Sequence, residues 1–404
     1  MTRQAGMDVW VLSNIPSPYQ VDLLRAVHKD GRCRLDVRWM RKGNHEQDFQ
    51  SNAACFPSAV MKGWGPKLWA GAFQFHPQAV RECRAGKMDV VVLSGQYTSL
   101  TFLACAVSLA GMRKGRKRGP RVLYWLEPPW PETFRPAWSG RVSSRLACAA
   151  FVRHSALRWL LRRADGLMAI GQRAVEAYCA LGVPRERVWD VPYHIEVSRF
   201  RQVDQAVVRQ ARAERGWEKA CVFLFSGQLI PRKGVDLLLS AFSRVAGRRD
   251  DVALLVLGDG PMRRGLEGMA RKLGVGSKVK FEGHVRQADL PLKYAMADVF
   301  VFPTRYDGWG VVLNEACASG LPIIATEAAG AAAELVREGE NGFVVKRDDE
   351  DAIAGKMLFF ADRPDVMAGM RQASLAIAEE YSVKKGVERF VAACNKVLDL
   401  PLLS

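Results

Sequence analysis

The fold is indicated most directly by residues 297–326, which read ADVFVFPTRYDGWGVVLNEACASGLPIIAT. The apolar run 299–302 is short and lies just before Pro303, which predicts a buried strand. Two glycines follow at 308 and 310, then a helical pattern, VVLNEACA, and a second strand pattern at 322–325. A strand, a glycine-containing loop, a helix and another strand are typical of a parallel sheet covered by helices.

The same alternation extends in both directions along the chain. Strand patterns in the first half lie at 9–12, 35–40, 89–93, 121–126, 166–170 and 187–191. After a polar stretch at 200–217 they restart, at 222–226, 253–257, 278–281, 299–302, 322–325 and 342–345. We therefore predict an α/β protein with two Rossmann-like domains, 1–200 and 201–380, and a crossover helix at 381–404 that joins the first domain. Parallel sheets bind ligands at the carboxyl ends of their strands, so two such sheets would face each other across a central cleft.

The composition narrows the class of protein. Of the 404 residues, 49% are apolar and 25% charged, which is typical of a soluble globular chain. The nine cysteines lie at least 22 residues apart and the histidines form no H-x-x-x-H pair, which argues against a zinc or redox site. The amino terminus lacks a secretion-signal pattern. The longest apolar run, 98–112, is shorter than the roughly 20 residues that span a bilayer, so we expect a buried helix there.

Charge is distributed unevenly along the chain. Residues 1–200 carry 30 Lys and Arg against 15 Asp and Glu, whereas the remainder carries 29 against 27. Nine of the eleven tryptophans also lie in the first half. This combination indicates an anionic partner for that half, which would be nucleic acid, acidic lipid or a phosphorylated acceptor.

Three loops of the second half carry candidate chemistry. In GQLIPRKG (227–234), Arg232 and Lys233 precede a helix predicted to begin at Val235, which favours an anion site, although both could be solvated loop cations. In LGDGP (257–261), two glycines and a proline at a helix start favour a structural turn. In the opening stretch, Asp307 and Glu315 lie on either side of two glycines. A carboxylate such as Glu315 in an apolar helix needs a partner, which would be a ligand diol or a cation such as Lys233.

Five motifs occur in a fixed order: GQLIPRKG, LGDGP, FEGHV (281–285), the opening stretch with its RYDGWG sequence (305–310), and AAELVREGENGFVV (332–345). Their order and density over 222–345 resemble the retaining glycosyltransferases of family four, which have the GT-B fold. SNIPSPYQVDLL (13–24) is similar to the first loop and helix of these enzymes. EEYSVKKGVERFVAAC (379–394) resembles their closing crossover helix.

This resemblance implies roles for individual residues. Lys233 would contact the diphosphate of a nucleotide-sugar donor, with UDP and GDP both open. Glu315 would bind the ribose hydroxyls, and Asp307 would lie beside the donor sugar. Backbone N–H groups of residues 308–311 would hold sugar and phosphate, and residues 283–285 would pass the base. The residues expected to contact substrates are Gly227, Gln228, Arg232, Lys233, His284, Val285, Asp307, Gly308, Trp309, Gly310, Val311 and Glu315.

Four positions depart from the family pattern. Gln228 stands where the family usually has Arg, so one phosphate cation is missing and Arg232 would compensate. Asp307 replaces a Glu that is one methylene longer. Glu127, in YWLEPPW, stands near a position often held by an active-site histidine; it would contact the acceptor or sugar, or serve as a structural acid. His194 replaces a hinge glycine, and we expect it to pack.

The sequence thus predicts a retaining, metal-independent glycosyltransferase that moves a hexose or related sugar to a hydroxyl acceptor. Catalysis is assigned to Lys233, Asp307 and Glu127, with no resident cofactor. The acceptor would be a glycan or lipid-linked molecule in cell-surface polysaccharide, lipopolysaccharide or glycolipid assembly. The two alternatives are a catalytically inactive nucleotide-sugar binder, suggested by Gln228, and a basic nucleic-acid-binding protein, suggested by MRKGRKRGPR (112–121). That run lacks interleaved aromatic residues, and no nucleic-acid partner is expected.

The basic first half also suggests where the protein acts. MKGWGPKLWAGAFQF (61–75) mixes cations with tryptophan and phenylalanine, and 141–163 adds further cations around apolar residues. Tryptophan suits the headgroup region, and each cation near an anionic surface contributes about 1 kcal/mol. We therefore predict a cytoplasmic enzyme bound peripherally to the anionic cytoplasmic face of the inner membrane. The alternative is that these aromatic residues are core and the cations are solvated.

Overall fold

The computed structural model describes residues 6–42, 56–64, 74–85, 87–113, 119–129 and 155–401. The chain divides into two compact units: Met1–Tyr193 with Val383–Ser404, and His194–Ser382. The boundary falls before residue 200 because the segment from His194 already packs in the second unit. There the Ile195 N–H donates to the Tyr381 carbonyl oxygen at 3.2 Å, and Phe200 lies 5.6 Å from the Tyr294 ring.

Each unit contains one parallel sheet. The strands are β1 (Met7–Ser13), β2 (Cys33–Trp39), β3 (Ser58–Val60), β4 (Val90–Ser94), β5 (Arg121–Leu126), β6 (Gly166–Ala169), β7 (Val188–Asp190), β8 (Cys221–Ser226), β9 (Val252–Leu257), β10 (Val279–Gly283), β11 (Val299–Phe302), β12 (Ile323–Thr326) and β13 (Gly342–Val345). The first sheet has the order β3-β2-β1-β4-β5-β6-β7, and the second has the order β10-β9-β8-β11-β12-β13. The prediction of two parallel-sheet α/β units is confirmed.

Helices cover both sheets. They are α1 (Pro18–Asp30), α2 (Pro77–Arg84), α3 (Leu100–Arg113), α4 (Gln172–Ala180), α5 (Ser198–Arg201), α6 (Gln205–Ala213), α7 (Val235–Ala246), α8 (Arg263–Lys272), α9 (Leu290–Ala295), α10 (Val312–Ala318), α11 (Ala332–Leu335), α12 (Glu350–Asp362), α13 (Pro364–Glu380) and α14 (Val383–Asp399), with a helical segment over 155–161. Helix α14 packs against α1 in the first unit, where its Phe390 lies 6.0 Å from the Trp125 ring.

The second sheet explains why its strands read as unbroken apolar runs. Nearly every side chain in strands β8, β9 and β11 is buried, so both faces of this part of the sheet are covered. Two-sided burial removes the polar alternation that a half-exposed strand would show. The order of this sheet places β8 beside β11, and the connections leave in opposite directions from these two strands. Such a switch point is where open parallel sheets bind ligands.

The apolar run 98–112 is only partly buried, contrary to the expectation of a buried helix. It forms most of α3, whose Phe102, Cys105 and Leu109 pack in the core, but Leu100 is 44% exposed and Val107 is 50% exposed. No helix in the described part of the chain is both long enough and apolar enough to cross a membrane. Large parts of the basic and aromatic segments 61–75, 112–121 and 141–163 lie outside the described residues.

Candidate functional site

The turn Pro231–Lys233 lies against the loop that follows β11. Gly234, directly after this turn, has a φ of 69°, and a Cβ placed on it would lie 2.1 Å from the Pro303 carbonyl oxygen. Only glycine fits this backbone and this spacing. The close approach brings the end of the β8 loop to the end of β11, which is the switch point of the second sheet.

Three predicted donor-site residues meet at this switch point. The Lys233 ammonium is buried and forms an ion pair with the Asp307 carboxylate. The Arg232 guanidinium lies 3.5 Å from the same carboxylate oxygen and donates to the Tyr306 carbonyl oxygen at 2.6 Å. Lys233 Nζ also lies 4.9 Å from the centre of the Phe302 ring. Two cations share one carboxylate, so the cluster carries a positive charge that suits an anionic ligand.

The glycine-rich turn after β9 has a structural role in the described structure. The Gly258 N–H donates to the Gly283 carbonyl oxygen at 2.7 Å, and the Leu229 N–H donates to the Asp259 carbonyl oxygen at 2.9 Å. These bonds join the ends of β8, β9 and β10, as the sequence pattern indicated for this turn. The two residues predicted to pass the base follow directly after β10, where His284 is exposed and Val285 is half-buried.

The remaining residues of the β8 loop and the RYDGWG stretch differ in exposure. Gln228 is exposed and the adjoining Gly227 is half-buried. The Trp309 side chain is buried and its Nε1–H donates to Asn314 Oδ1 at 2.9 Å. Trp309 therefore belongs to the core, and only its backbone remains a candidate for ligand contact. Gly308 and Gly310 are also buried, and Val311 is half-buried.

Glu315 lies in α10, and its protein partner is not Lys233, the cation that the sequence analysis offered as the alternative to a ligand diol. Its Oε2 accepts a hydrogen bond from the Tyr294 hydroxyl at 2.7 Å, whereas Lys233 pairs with Asp307. Burial raises the pKa of Glu315 to about 7, against the opposing effects of the Tyr294 hydrogen bond and the Arg199 charge. Near neutral pH this carboxyl exists in both protonation states, so it can donate to or accept from a ligand hydroxyl.

Glu127 belongs to the first unit, at the carboxyl end of β5. Its side chain is exposed, and its Oε1 accepts from the Tyr193 hydroxyl at 3.0 Å. The Tyr178 hydroxyl donates to the Glu127 carbonyl oxygen. Burial, together with the Glu127 charge, raises the pKa of Tyr193 well above its usual range, so the phenol stays protonated and remains a donor. His194 is buried and stacks on Tyr381 at 6.3 Å, which fits the expected packing role.

The sequence did not predict three residues that bind acidic side chains in or near the site. The Tyr294 hydroxyl donates to Glu315, and the Tyr193 hydroxyl donates to Glu127. Arg305 donates to Asp236 and Asp348, which lie 69 and 43 residues away in the sequence. Their partners are set by the strand order, so no local motif indicates them. Over the described ranges, no group of three or more His, Cys, Asp or Glu side chains is arranged to hold a metal ion.

Comparison with known proteins identifies relatives of the second unit and of the whole fold. Residues 208–375 match the family model described as "Glycosyl transferases group 1". A GDP-mannose-dependent alpha-(1-6)-phosphatidylinositol monomannoside mannosyltransferase of Mycolicibacterium smegmatis is 33% identical over 50% of this chain and 54% of its own length. A D-inositol 3-phosphate glycosyltransferase of Geodermatophilus obscurus is 28% identical over 72% of each chain. The chain spans about half the length of the mycobacterial relatives it matches, 54% and 48%.

Solved structures are similar over nearly the whole chain. Anabaena HepE in complex with UDP and glucose has a TM-score of 0.75 at 19% identity, covering 96% of this chain and 98% of HepE. WaaG, a glycosyltransferase involved in lipopolysaccharide biosynthesis, has a TM-score of 0.67 at 18% identity, covering 95% of this chain and 98% of WaaG. At these identities the likeness concerns the fold.

Proposed function

We propose that this chain is a group 1 glycosyl transferase that transfers a sugar from a nucleotide-sugar donor to a hydroxyl acceptor. Residues 208–375 match the model of that family, and the fold is GT-B. The observation that carries this proposal is the cluster of Lys233, Arg232 and Asp307 at the switch point between β8 and β11. A positive cluster at the carboxyl ends of parallel strands suits a diphosphate.

Different loops of the second unit would bind different parts of the donor. Lys233 and Arg232 bind the diphosphate, each charge-assisted hydrogen bond contributing about 1.5–3 kcal/mol. Glu315 binds the ribose hydroxyls, the backbone of residues 308–311 holds phosphate and sugar, and His284 and Val285 lie beside the base. Gln228 and Gly227 border the diphosphate. HepE has been solved with UDP and glucose, and the mycobacterial relatives are named for GDP-mannose, so both bases are candidates.

The chemical step is proposed to be retaining and metal-independent. As the bond between the anomeric carbon and the diphosphate oxygen breaks, negative charge develops on the departing diphosphate. The Lys233 ammonium and the Arg232 guanidinium stabilise that charge at fixed positions, which is a large contribution to catalysis when the groups are preorganised. Asp307 lies beside the same cations and would contact the donor sugar.

The acceptor is proposed to bind the first unit, with Glu127 contacting its reacting hydroxyl. Two relatives carry names that point to glycolipid or inositol phosphate acceptors, which favours a lipid-linked or glycan acceptor in cell-surface assembly. Trp64 is 78% exposed and Trp159 is 46% exposed, whereas Leu157, Leu160 and Leu161 beside it are core. Exposed tryptophans in a basic half support peripheral binding to the anionic cytoplasmic face of the inner membrane.

A panel of UDP- and GDP-linked sugars tests this function. Thermal stabilisation of the wild type identifies the donor, because a ligand that binds the folded state raises the apparent Tm. Release of nucleoside diphosphate from that donor, with acceptors such as phosphatidylinositol or inositol phosphate, then measures transfer. Binding without turnover would indicate an inactive sugar binder. Stabilisation by no member of the panel, with salt-sensitive DNA binding instead, would overturn the proposal.

A further inference from the structure

Arg305 connects three separate segments of the second unit. Its Nη1 donates to the Pro231 carbonyl oxygen at 2.7 Å, and its Nη1 and Nη2 donate to the two Asp236 carboxylate oxygens at 2.9 and 2.7 Å. Its Nε donates to Asp348 Oδ1 at 2.8 Å. The guanidinium is thus held by the turn before α7, by the first turn of α7 and by the loop after β13.

The backbone beside Arg305 holds the same turn. The Arg305 N–H donates to the Arg232 carbonyl oxygen at 2.8 Å, and the Thr304 hydroxyl donates to that oxygen at 3.0 Å. Together with the side-chain bond to Pro231, these contacts fix two successive carbonyl groups of the turn that carries Lys233. The lysine stem begins at a point that the β11 loop determines.

Arg305 is not placed to bind the phosphate itself. Two carboxylates, Asp236 and Asp348, already engage its guanidinium, so its charge is neutralised within the unit. Burial raises the pKa of Asp236, but the hydrogen bond and the charge of Arg305 act against it, and the pKa lies below its usual range. The same hydrogen bond raises the pKa of Arg305, which therefore stays protonated. Any effect of Arg305 on an anionic ligand must therefore pass through the turn and Lys233.

We propose that Arg305 is a positioning residue for the diphosphate of the donor: it fixes the turn Pro231–Lys233 so that the Lys233 ammonium is preorganised for a phosphate oxygen. This inference rests on the proposed function. A lysine side chain is long and flexible, and ordering it on binding would otherwise reduce affinity. The planar guanidinium, with several donors in a fixed arrangement, is suited to holding a carbonyl and a carboxylate at once. A lysine at position 305 would keep the charge but lose this arrangement.

The test compares Arg305→Lys with the wild type by calorimetric titration of UDP, GDP, uridine and guanosine. We expect the affinity for the nucleoside diphosphate that binds the wild type to fall about tenfold, equivalent to about 1.4 kcal/mol, and that for the matching nucleoside to stay within about twofold. In a Lys233→Ala background, Arg305→Lys should have a clearly smaller effect, because the main group it positions is gone and only Arg232 remains on the turn. A merely structural arginine would not produce this phosphate-specific, Lys233-dependent loss.

Two further variants complete the design. If Arg305→Lys does not fold, Asp236→Asn takes its place in the test, and we expect it to reproduce part of the loss in diphosphate affinity. Asp250→Asn, which removes an exposed carboxylate paired with Lys278 in the loop before β9, should leave the affinity unchanged. Equal loss for diphosphate and nucleoside, or an undiminished effect in the Lys233→Ala background, would overturn the assignment of Arg305. Absence of nucleoside diphosphate binding by the wild type would overturn the proposed function, and this inference with it.

Discussion

Replacing Asp307 by Asn should strengthen the binding of a nucleoside diphosphate while it weakens sugar transfer. The Asp307 carboxylate forms an ion pair with the Lys233 ammonium, and it lies 3.5 Å from Arg232 Nη1. At that distance and an effective dielectric constant of about 20, one such pair has a gross attraction of about 5 kcal/mol. Water and neighbouring dipoles offset most of this, so we expect a net competition of about 1.4 kcal/mol, or tenfold in affinity.

The transfer rate should change in the opposite direction. Asn keeps the size of the side chain but removes the charge proposed to contact the donor sugar, and loss of one preorganised polar contact lowers turnover by about 10²-fold. Titration calorimetry with the nucleoside diphosphate and steady-state assays with the nucleotide sugar measure the two effects. Asp259→Asn is the matched control, since it removes one charge from the exposed loop after β9, where Asp259 pairs with Arg263. If Asp307→Asn weakened diphosphate binding as much as Lys233→Ala, the carboxylate would be an aid to the cations and the competition argument would fail.

Burial raises the pKa of Glu315 from 4.5 to about 7, so this group lowers the free energy of unfolding as pH rises through that range. Glu315→Gln should therefore raise the Tm relative to wild type at pH 8, less so at pH 5, and it should weaken donor binding because the ionised acceptor is lost. Equal Tm differences at both pH values would contradict the shifted pKa. Glu127→Gln should lower turnover at least about tenfold and leave the affinity for nucleoside diphosphate unchanged. Tyr193→Phe should lower turnover less, because only an orienting hydrogen bond is lost. Wild-type turnover in both variants would make Glu127 a structural acid. In liposome cosedimentation at low salt, anionic vesicles should retain the protein, neutral vesicles should not, and Trp64→Ala should reduce retention; equal recovery in the supernatant with both vesicles would argue for a soluble acceptor.

Much of the second unit could be predicted from local sequence. The strands at 299–302 and 342–345 have the predicted bounds, and helix α7 begins at Val235 as predicted. Pro303, Gly342 and Gly234 mark one limit of each run. The helical pattern VVLNEACA starts at Val311, and helix α10 begins one residue later, at Val312. Gly310 has a φ of 93° and therefore lies outside the right-handed helix. Strand β3 was missed because three residues, Ser58–Val60, are too few to show a period.

The candidate site was predictable in its parts and not in its pairings. The motifs placed Lys233 and Asp307 on loops at strand ends, but their ion pair joins residues 74 positions apart. That pairing depends on β8 lying next to β11, and the order of strands in a sheet is a property of the whole fold. For the same reason the sequence offered Lys233 as a partner for Glu315, whereas the structure provides the Tyr294 hydroxyl.

The parallel strands of the second sheet also indicate where an insertion into this chain should be tolerated. The loops that contain Lys233 and Asp307 leave the carboxyl ends of β8 and β11, while the turns at 247–251 and 274–278 lead into the amino ends of β9 and β10. Each doubling of loop length costs only about 0.6 kcal/mol in closure entropy, so lengthening the turn at 274–278 should cost little stability. A peptide tag or small reporter domain inserted there lies at the opposite strand ends from the loops that contain Lys233 and Asp307. That edge is the natural attachment point for a probe of donor binding.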